Sequence, residues 1–130
     1  MQSTRLAPQL FFKEVAPAVE FYKKAFGAKE LRRFANPDES IHVAEMTIGD
    51  ALFHLHEETN HNKHVLSPEE LKGTSVIIEL FVDDPDAVVA QALAAGATEK
   101  SPVKDFDYGF RQGEIIDPFG HYWIIEKDIR

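Results

Sequence analysis

FFKEVAPAVEFYKKAFGAKE, residues 11–30, aligns without a gap on LFVDDPDAVVAQALAAGATE, residues 80–99, and this correspondence decides the reading of the fold. Phe12, Ala18, Val19, Gly27, Ala28 and Glu30 meet Phe81, Ala87, Val88, Gly96, Ala97 and Glu99. Each copy opens on an apolar run of strand character and passes an acidic turn. It then enters about ten residues whose apolar positions recur with helical spacing, before a glycine. Glycine there suits the left-handed backbone on which helices commonly end.

Outward from the repeat, the order of elements repeats as well. A strand near Leu10–Val15 precedes a helix over about Ala16–Phe26, strands around Lys29–Phe34 and His42–Ile48, a tight turn at Gly49-Asp50 and a strand over Ala51–Glu57. The second half predicts a strand over Ser75–Val82, a helix over Pro85–Ala95, strands near Thr98–Val103 and Phe110–Ile116, the turn DPFGH and a last strand over Tyr122–Lys127. Both halves read βαβββ. Module 1 spans about 5–57, module 2 about 74–128, and the polar segment at about 58–73 is a linker. Its Ser67-Pro68-Glu69-Glu70 run predicts one short helical turn. The fold class is α+β, two tandem modules in one domain. Units of roughly 60 residues bury too little surface to be secure alone, so pairing of the modules is expected.

Strand alternation assigns faces. Ala51, Phe53 and Leu55; Val76, Ile78, Leu80 and Val82; Trp123 and Ile125; and Leu10 and Phe12 form wholly apolar faces suited to lie under the helices. The opposite faces are mixed. They carry Gln9 and Phe11; His54 and His56; Glu79 and Phe81; and Tyr122, Ile124 and Glu126. Apolar walls with a few convergent polar groups are what a small-molecule cavity requires.

Composition narrows the partners. A net charge of −8, with no concentration of Lys and Arg beyond short pairs, argues against nucleic acid and anionic membrane. The chain contains no cysteine, so thiolate chemistry and Cys-type zinc sites are excluded and any metal would rest on His, Asp or Glu. Without a signal-like N-terminus or a long apolar span, a cytoplasmic protein is expected.

The segments FYKKAFGAKEL, ELFVDDPDAVVAQALAAGA and DYGFRQGEIIDPFGHYWII resemble the vicinal oxygen chelate superfamily of glyoxalase I, bleomycin-resistance proteins and extradiol dioxygenases, most closely its PhnB-like branch. The resemblance covers nearly the whole chain. It implies a cupped eight-stranded mixed sheet, a homodimer and a ligand cavity on the concave face, with Tyr108 and Arg111 beside the mixed-face residues. It also places the family's four metal-ligand positions at Ala7, His54, Ile77 and Ile124, of which only His54 has a ligating side chain. Sliding two residues along each strand gives Gln9, His56, Glu79 and Glu126. If a two-fold axis relates the modules, the slide separates the pairs by about 13 Å at roughly 3.3 Å per residue. A mixed set of His54 and Glu79 remains as an alternative metal site.

FHLHEETNHNKH, residues 53–64, holds four of the six histidines. His54 and His56 are expected in the cavity, His61 and His64 in solvent. Glu79, set among Ile77, Ile78, Leu80 and Phe81, is the candidate catalytic base: if buried it must be paired, metal-bound or protonated. Arg111 is expected either to hold an anionic group or to pair with an acid such as Glu114 or Asp117, and Asp117 to cap its turn. Phe11, Phe53, Phe81 and Trp123 are read as core residues, one or two of them reaching the pocket. The preferred function is binding of a small apolar or aromatic ligand, with no cofactor. The alternatives are a lyase or dioxygenase using zinc, nickel, manganese or iron, and a bare dimerisation module.

Overall fold

In the computed structural model, which describes residues 3–130, the chain runs β1 (Gln9–Phe12), α1 (Val15–Phe26), β2 (Lys29–Ala35), β3 (Ile41–Ile48), β4 (Ala51–Glu57), α2 (Pro68–Leu71), β5 (Ile77–Phe81), α3 (Pro85–Ala95), β6 (Thr98–Asp105), β7 (Phe110–Ile116) and β8 (Tyr122–Asp128). Both halves are βαβββ units, and α2 lies in the linker. There the Ser67 side chain accepts a hydrogen bond from Glu70 N at 3.2 Å, and Pro68 takes the first helical position, where its missing N–H costs nothing.

The eight strands form two four-stranded sheets, ordered β1-β4-β3-β2 and β5-β8-β7-β6. β1 pairs parallel with β4, β5 pairs parallel with β8, and the other neighbours are antiparallel. Among the described residues no strand of one sheet is hydrogen-bonded to the other sheet. Boundaries differ from expectation most at the two edge strands β1 and β5. β1 stops at Phe12, and Glu14, extended at φ −136°, leads directly into α1. β5 begins at Ile77 rather than Ser75, because its partner β8 begins at Tyr122, opposite Ile77, and the residues before Tyr122 are folded into a turn.

The two helix-facing sides share a single core. α1 packs on β3 and β4, α3 on β6, β7 and β8, and the two helices lie against each other. Leu10, Phe12, Phe53 and Leu55 from one sheet and Ile115, Trp123 and Ile125 from the other join Ala18, Val19, Tyr22 and Ala25 of α1 and Val89 and Ala92 of α3. The Trp123 ring lies 4.8 Å from Phe26 and 6.4 Å from Phe53, across the module boundary. Each large side chain so buried stabilises the fold by about 1.5–3 kcal/mol. α1 ends at Gly27, φ 65°, whose N–H bonds Lys23 O at 3.0 Å while Ala28 N bonds Tyr22 O at 3.1 Å.

A buried polar cluster also crosses the boundary. Asp117, 3% exposed, caps its turn as expected: Oδ1 accepts from Phe119 N at 2.9 Å and His121 N at 3.0 Å. Its Oδ2 accepts from Trp123 Nε1 at 3.0 Å and from the Tyr22 hydroxyl of α1. His121 Nε2 donates to the Phe11 carbonyl at 3.1 Å. A buried carboxylate with four donors is a satisfied one. Among the described residues no helix is long and apolar enough to cross a membrane.

Candidate functional site

With both helix-facing sides consumed by the core, the mixed faces of the two sheets are turned away from it. On module 1, Gln9 is exposed and Phe11 half-buried, its ring stacked on His56 at 4.8 Å. His56 Nδ1 donates to the Glu57 carbonyl at 2.6 Å. His54 stands opposite Gln9 on β1 and opposite Glu45 on β3. Its Nε2 is 3.9 Å from Glu45 Oε2, and Arg32 Nε donates to Glu45 Oε1 at 2.9 Å, which holds that carboxyl below its ordinary range. Glu45 was not among the expected site residues. The tight Gly49-Asp50 turn carried the signal, since counting back from it pairs 45 with 54. His61 and His64 are exposed in the linker.

On module 2, Ile77, Glu79 and Phe81 face the same side as Tyr122, Ile124 and Glu126, by a register that pairs Glu79 with Ile124 and Phe81 with Glu126. Glu79 and Phe81 are exposed, Phe81 at 61%, so Phe81 belongs to a surface rather than to the core. Glu126 is the reverse case. It is 5% exposed although its neighbours on the strand face are not core, and its Oε2 has no hydrogen-bond partner. Burial pushes its carboxyl above the usual carboxylate range, and the neighbouring Glu79 pushes the same way by charge and by hydrogen bonding. Phe110, 6.4 Å from Phe81, extends the face toward Tyr108, whose ring lies 6.3 Å from Phe110.

Arg111 departs from expectation. It lies on the helix-facing side of β7, in phase with buried Gly113 and Ile115, and its partners are neither Glu114 nor Asp117. Its Nε and Nη2 each bond Asp86 of α3 at 2.8 Å, and Nη1 bonds Asp105 at 2.9 Å. A guanidinium holding a bidentate carboxylate and a second aspartate is committed to structure.

The expected cavity residues thus form two groups, Gln9, Phe11, His54 and His56 on one sheet and Glu79, Phe81, Tyr122, Ile124 and Glu126 on the other. Only Glu79 reaches a cleft of about 420 Å³ at the module seam, whose apolar floor is Leu10, Phe53, Ile78, Leu80 and Trp123 and whose mouth carries Arg5 and Asp50. A catalytic zinc-type site draws on three converging protein donors. Among the described residues no group of three or more His, Asp or Glu side chains converges. The donors within this chain do not fit the ligand set implied by the resemblance.

A family model, the Glyoxalase/Bleomycin resistance protein/Dioxygenase superfamily, matches residues 5–125. The chain belongs to this superfamily. Among superfamily relatives, the uncharacterized protein Rv0887c of Mycobacterium tuberculosis is 37% identical over 127 residues, 96% of this chain and 75% of its own length. The uncharacterized protein At5g48480 of Arabidopsis thaliana is 31% identical over 122 residues, 88% of this chain and 72% of its own. The X-ray structure of that Arabidopsis gene product superposes with a TM-score of 0.70 at 27% identity, covering 96% of this chain and 98% of that one. TioX from Micromonospora shares the superfamily fold at a TM-score of 0.72 and 21% identity, covering 95% of both chains. So does FosX, a fosfomycin resistance protein from Listeria monocytogenes complexed with Mn(II) and sulfate, at 0.73 and 16%, covering 98% of this chain and 92% of FosX.

Proposed function

We propose that the chain is a small-molecule-binding member of the PhnB-like branch, acting in the cytoplasm, and that its ligand cup is completed by a second copy of itself. One observation carries this reading: the mixed faces of the two sheets point outward, each beside a free edge strand, β1 or β5, and their chemistry is complementary. His54 and His56 stand on one face, Glu79 and Glu126 on the other. Along β5 the exposed face and its approach carry Val76 at 58%, Ile77 at 49% and Phe81 at 61% exposure. A free apolar strand edge of this kind invites pairing with another chain. Two-fold pairing of β1 with the partner's β5 joins one copy of each face twice over, and each resulting cup has aromatic walls with imidazoles across from carboxyls.

The reading is tested by sedimentation equilibrium together with a thermal-shift screen of small aromatic compounds. The wild-type chain is expected as a dimer, Ile77→Lys as a folded monomer, and ligand stabilisation only in the dimer, since a ligand that binds the native form raises its stability as it exceeds its dissociation constant. A wild-type monomer at all concentrations overturns the shared cup. Stoichiometric manganese, zinc, nickel or iron in protein purified without chelator, lost on His54→Ala, overturns the metal-free part in favour of a lyase or dioxygenase.

A further inference from the structure

We propose that the mixed face of module 2 is a site for an organic cation, an ammonium group carried on an aromatic or apolar body, received between the Phe81 ring and the Glu79–Glu126 carboxyl pair. The assignment names the ligand class for the cup described above and depends on that reading only for the opposite wall. The carboxyl pair and the aromatic row lie on one sheet.

Two carboxyl groups side by side on a strand face repel unless a proton or a cation sits between them. The register makes Glu79 and Glu126 diagonal neighbours across the parallel β5–β8 pair, with Phe81 directly opposite Glu126. Glu126 is 5% exposed and its Oε2 is both buried and unpartnered, which is costly for a polar atom and is relieved by a positively charged group brought beside it. The surroundings suit an organic cation better than a metal ion. Phe81 and Phe110 donate no lone pair, but the negative faces of their rings attract cations. The chain's own Arg130 already uses that property, its guanidinium carbon standing 5.2 Å from the Phe110 centroid. The ring of Phe81 is exposed and free to do the same for a ligand.

A cation lying against the pair offsets the mutual repulsion of the two carboxyls, the same repulsion that together with burial raises Glu126. The charged groups on the same face as Glu126 are Glu79 from β5, Glu114 from β7, which accepts from Ser101 Oγ, Lys104 from β6, opposite Gln112 with its ammonium over the Phe106 ring, and, beyond the end of β8's pairing with β5, Asp128 bound to Arg130. None of the acids is positioned to supply the missing donor to Oε2.

The test is calorimetric titration of the full-length chain with benzyltrimethylammonium, whose permanent charge carries no proton of its own, and with benzyl alcohol as the uncharged control. The expected result is tighter binding of the cation than of the alcohol. Glu126→Gln should weaken the cation by about tenfold or more and weaken the alcohol by much less. Phe81→Ala, at an exposed position that does not threaten folding, should also weaken the cation. Equal affinity of the two probes, or failure of both to bind, overturns the charge assignment and leaves the cup to be decided by the oligomeric state. Manganese(II) displacing benzyltrimethylammonium stoichiometrically also overturns the assignment.

Discussion

Replacing Tyr22 by Phe removes one oxygen from the interior and asks how strongly the two modules are tied. The Tyr22 ring is fully buried among Phe12, Phe53 and Trp123, at centroid distances of 6.1, 5.6 and 5.6 Å, and Phe keeps that packing. What is lost is the hydroxyl donor to Asp117, a carboxylate that retains its bonds from Trp123 Nε1, Phe119 N and His121 N. A hydrogen bond to a charged group is worth about 1.5–3 kcal/mol net, so a loss of about 2 kcal/mol is expected. At about 3–5 °C per kcal/mol for a chain of this length, Tm should fall by about 6–10 °C. Asp117→Ala strands all four donors and should cost more, about 3–5 kcal/mol, and adding Tyr22→Phe to it should cost little further, because the two share one interaction. The assay is urea unfolding at fixed protein concentration, read by fluorescence of Trp123, the chain's single tryptophan, which is 2% exposed. A Tyr22→Phe loss below about 0.5 kcal/mol, or a double variant whose loss is the sum of the two single losses, would refute the reasoning.

Further outcomes follow from other residues. The Glu126 carboxyl is raised in the folded state, so its contribution is full below the unfolded carboxyl value and is lost as pH rises through the folded value; Glu126→Gln should therefore flatten the decline in Tm between those two values. Burial lowers the His121 imidazole, against the opposing pull of Asp117 and the Phe11 carbonyl. Its stability contribution is thus full above the unfolded value of about 6.5 and is lost as pH falls through the window below it, where His121→Gln should show a weaker pH dependence in urea titrations. Gly120 has φ +94° and an added Cβ would meet Pro68 Cβ at 2.8 Å, so Gly120→Ala should cost about 1–3 kcal/mol in thermal unfolding. Mixing a His54→Ala/His56→Ala chain with a Glu79→Gln/Glu126→Gln chain should restore, in mixed dimers, ligand-induced stabilisation that neither shows alone; no recovery on mixing would refute a cup shared between copies.

Much of the fold was legible because its periods are strong. The repeat and the alternation placed Leu10, Phe12, Phe53, Leu55, Trp123 and Ile125 in the core, and all six are buried. Helix ends were signalled by Gly27 and Gly96, whose φ values are positive. How the halves pack was not legible, because two amphipathic modules satisfy the same pattern whether they meet by their mixed faces or by their helices. Contacts between α1 and α3 and the Tyr22–Asp117 bond are separated by dozens of residues, and no local rule relates them. For the same reason Arg111 was matched to nearby acids when its main partner is Asp86, at the start of the opposite element. Side-chain direction was readable for His54, His56, Glu79 and Glu126, whereas burial was not: Glu79 is exposed and Glu126 enclosed, since exposure depends on which neighbours lean over the strand.

The hydroxyl of Tyr22 reaching the turn of the other half makes the duplication non-autonomous. Each half lends the other a group that it lacks, so neither can be excised, shuffled or diversified as a freestanding cassette. Whatever freedom the outward walls retain to evolve toward new chemistries, the inward-facing tyrosine and aspartate must be inherited together.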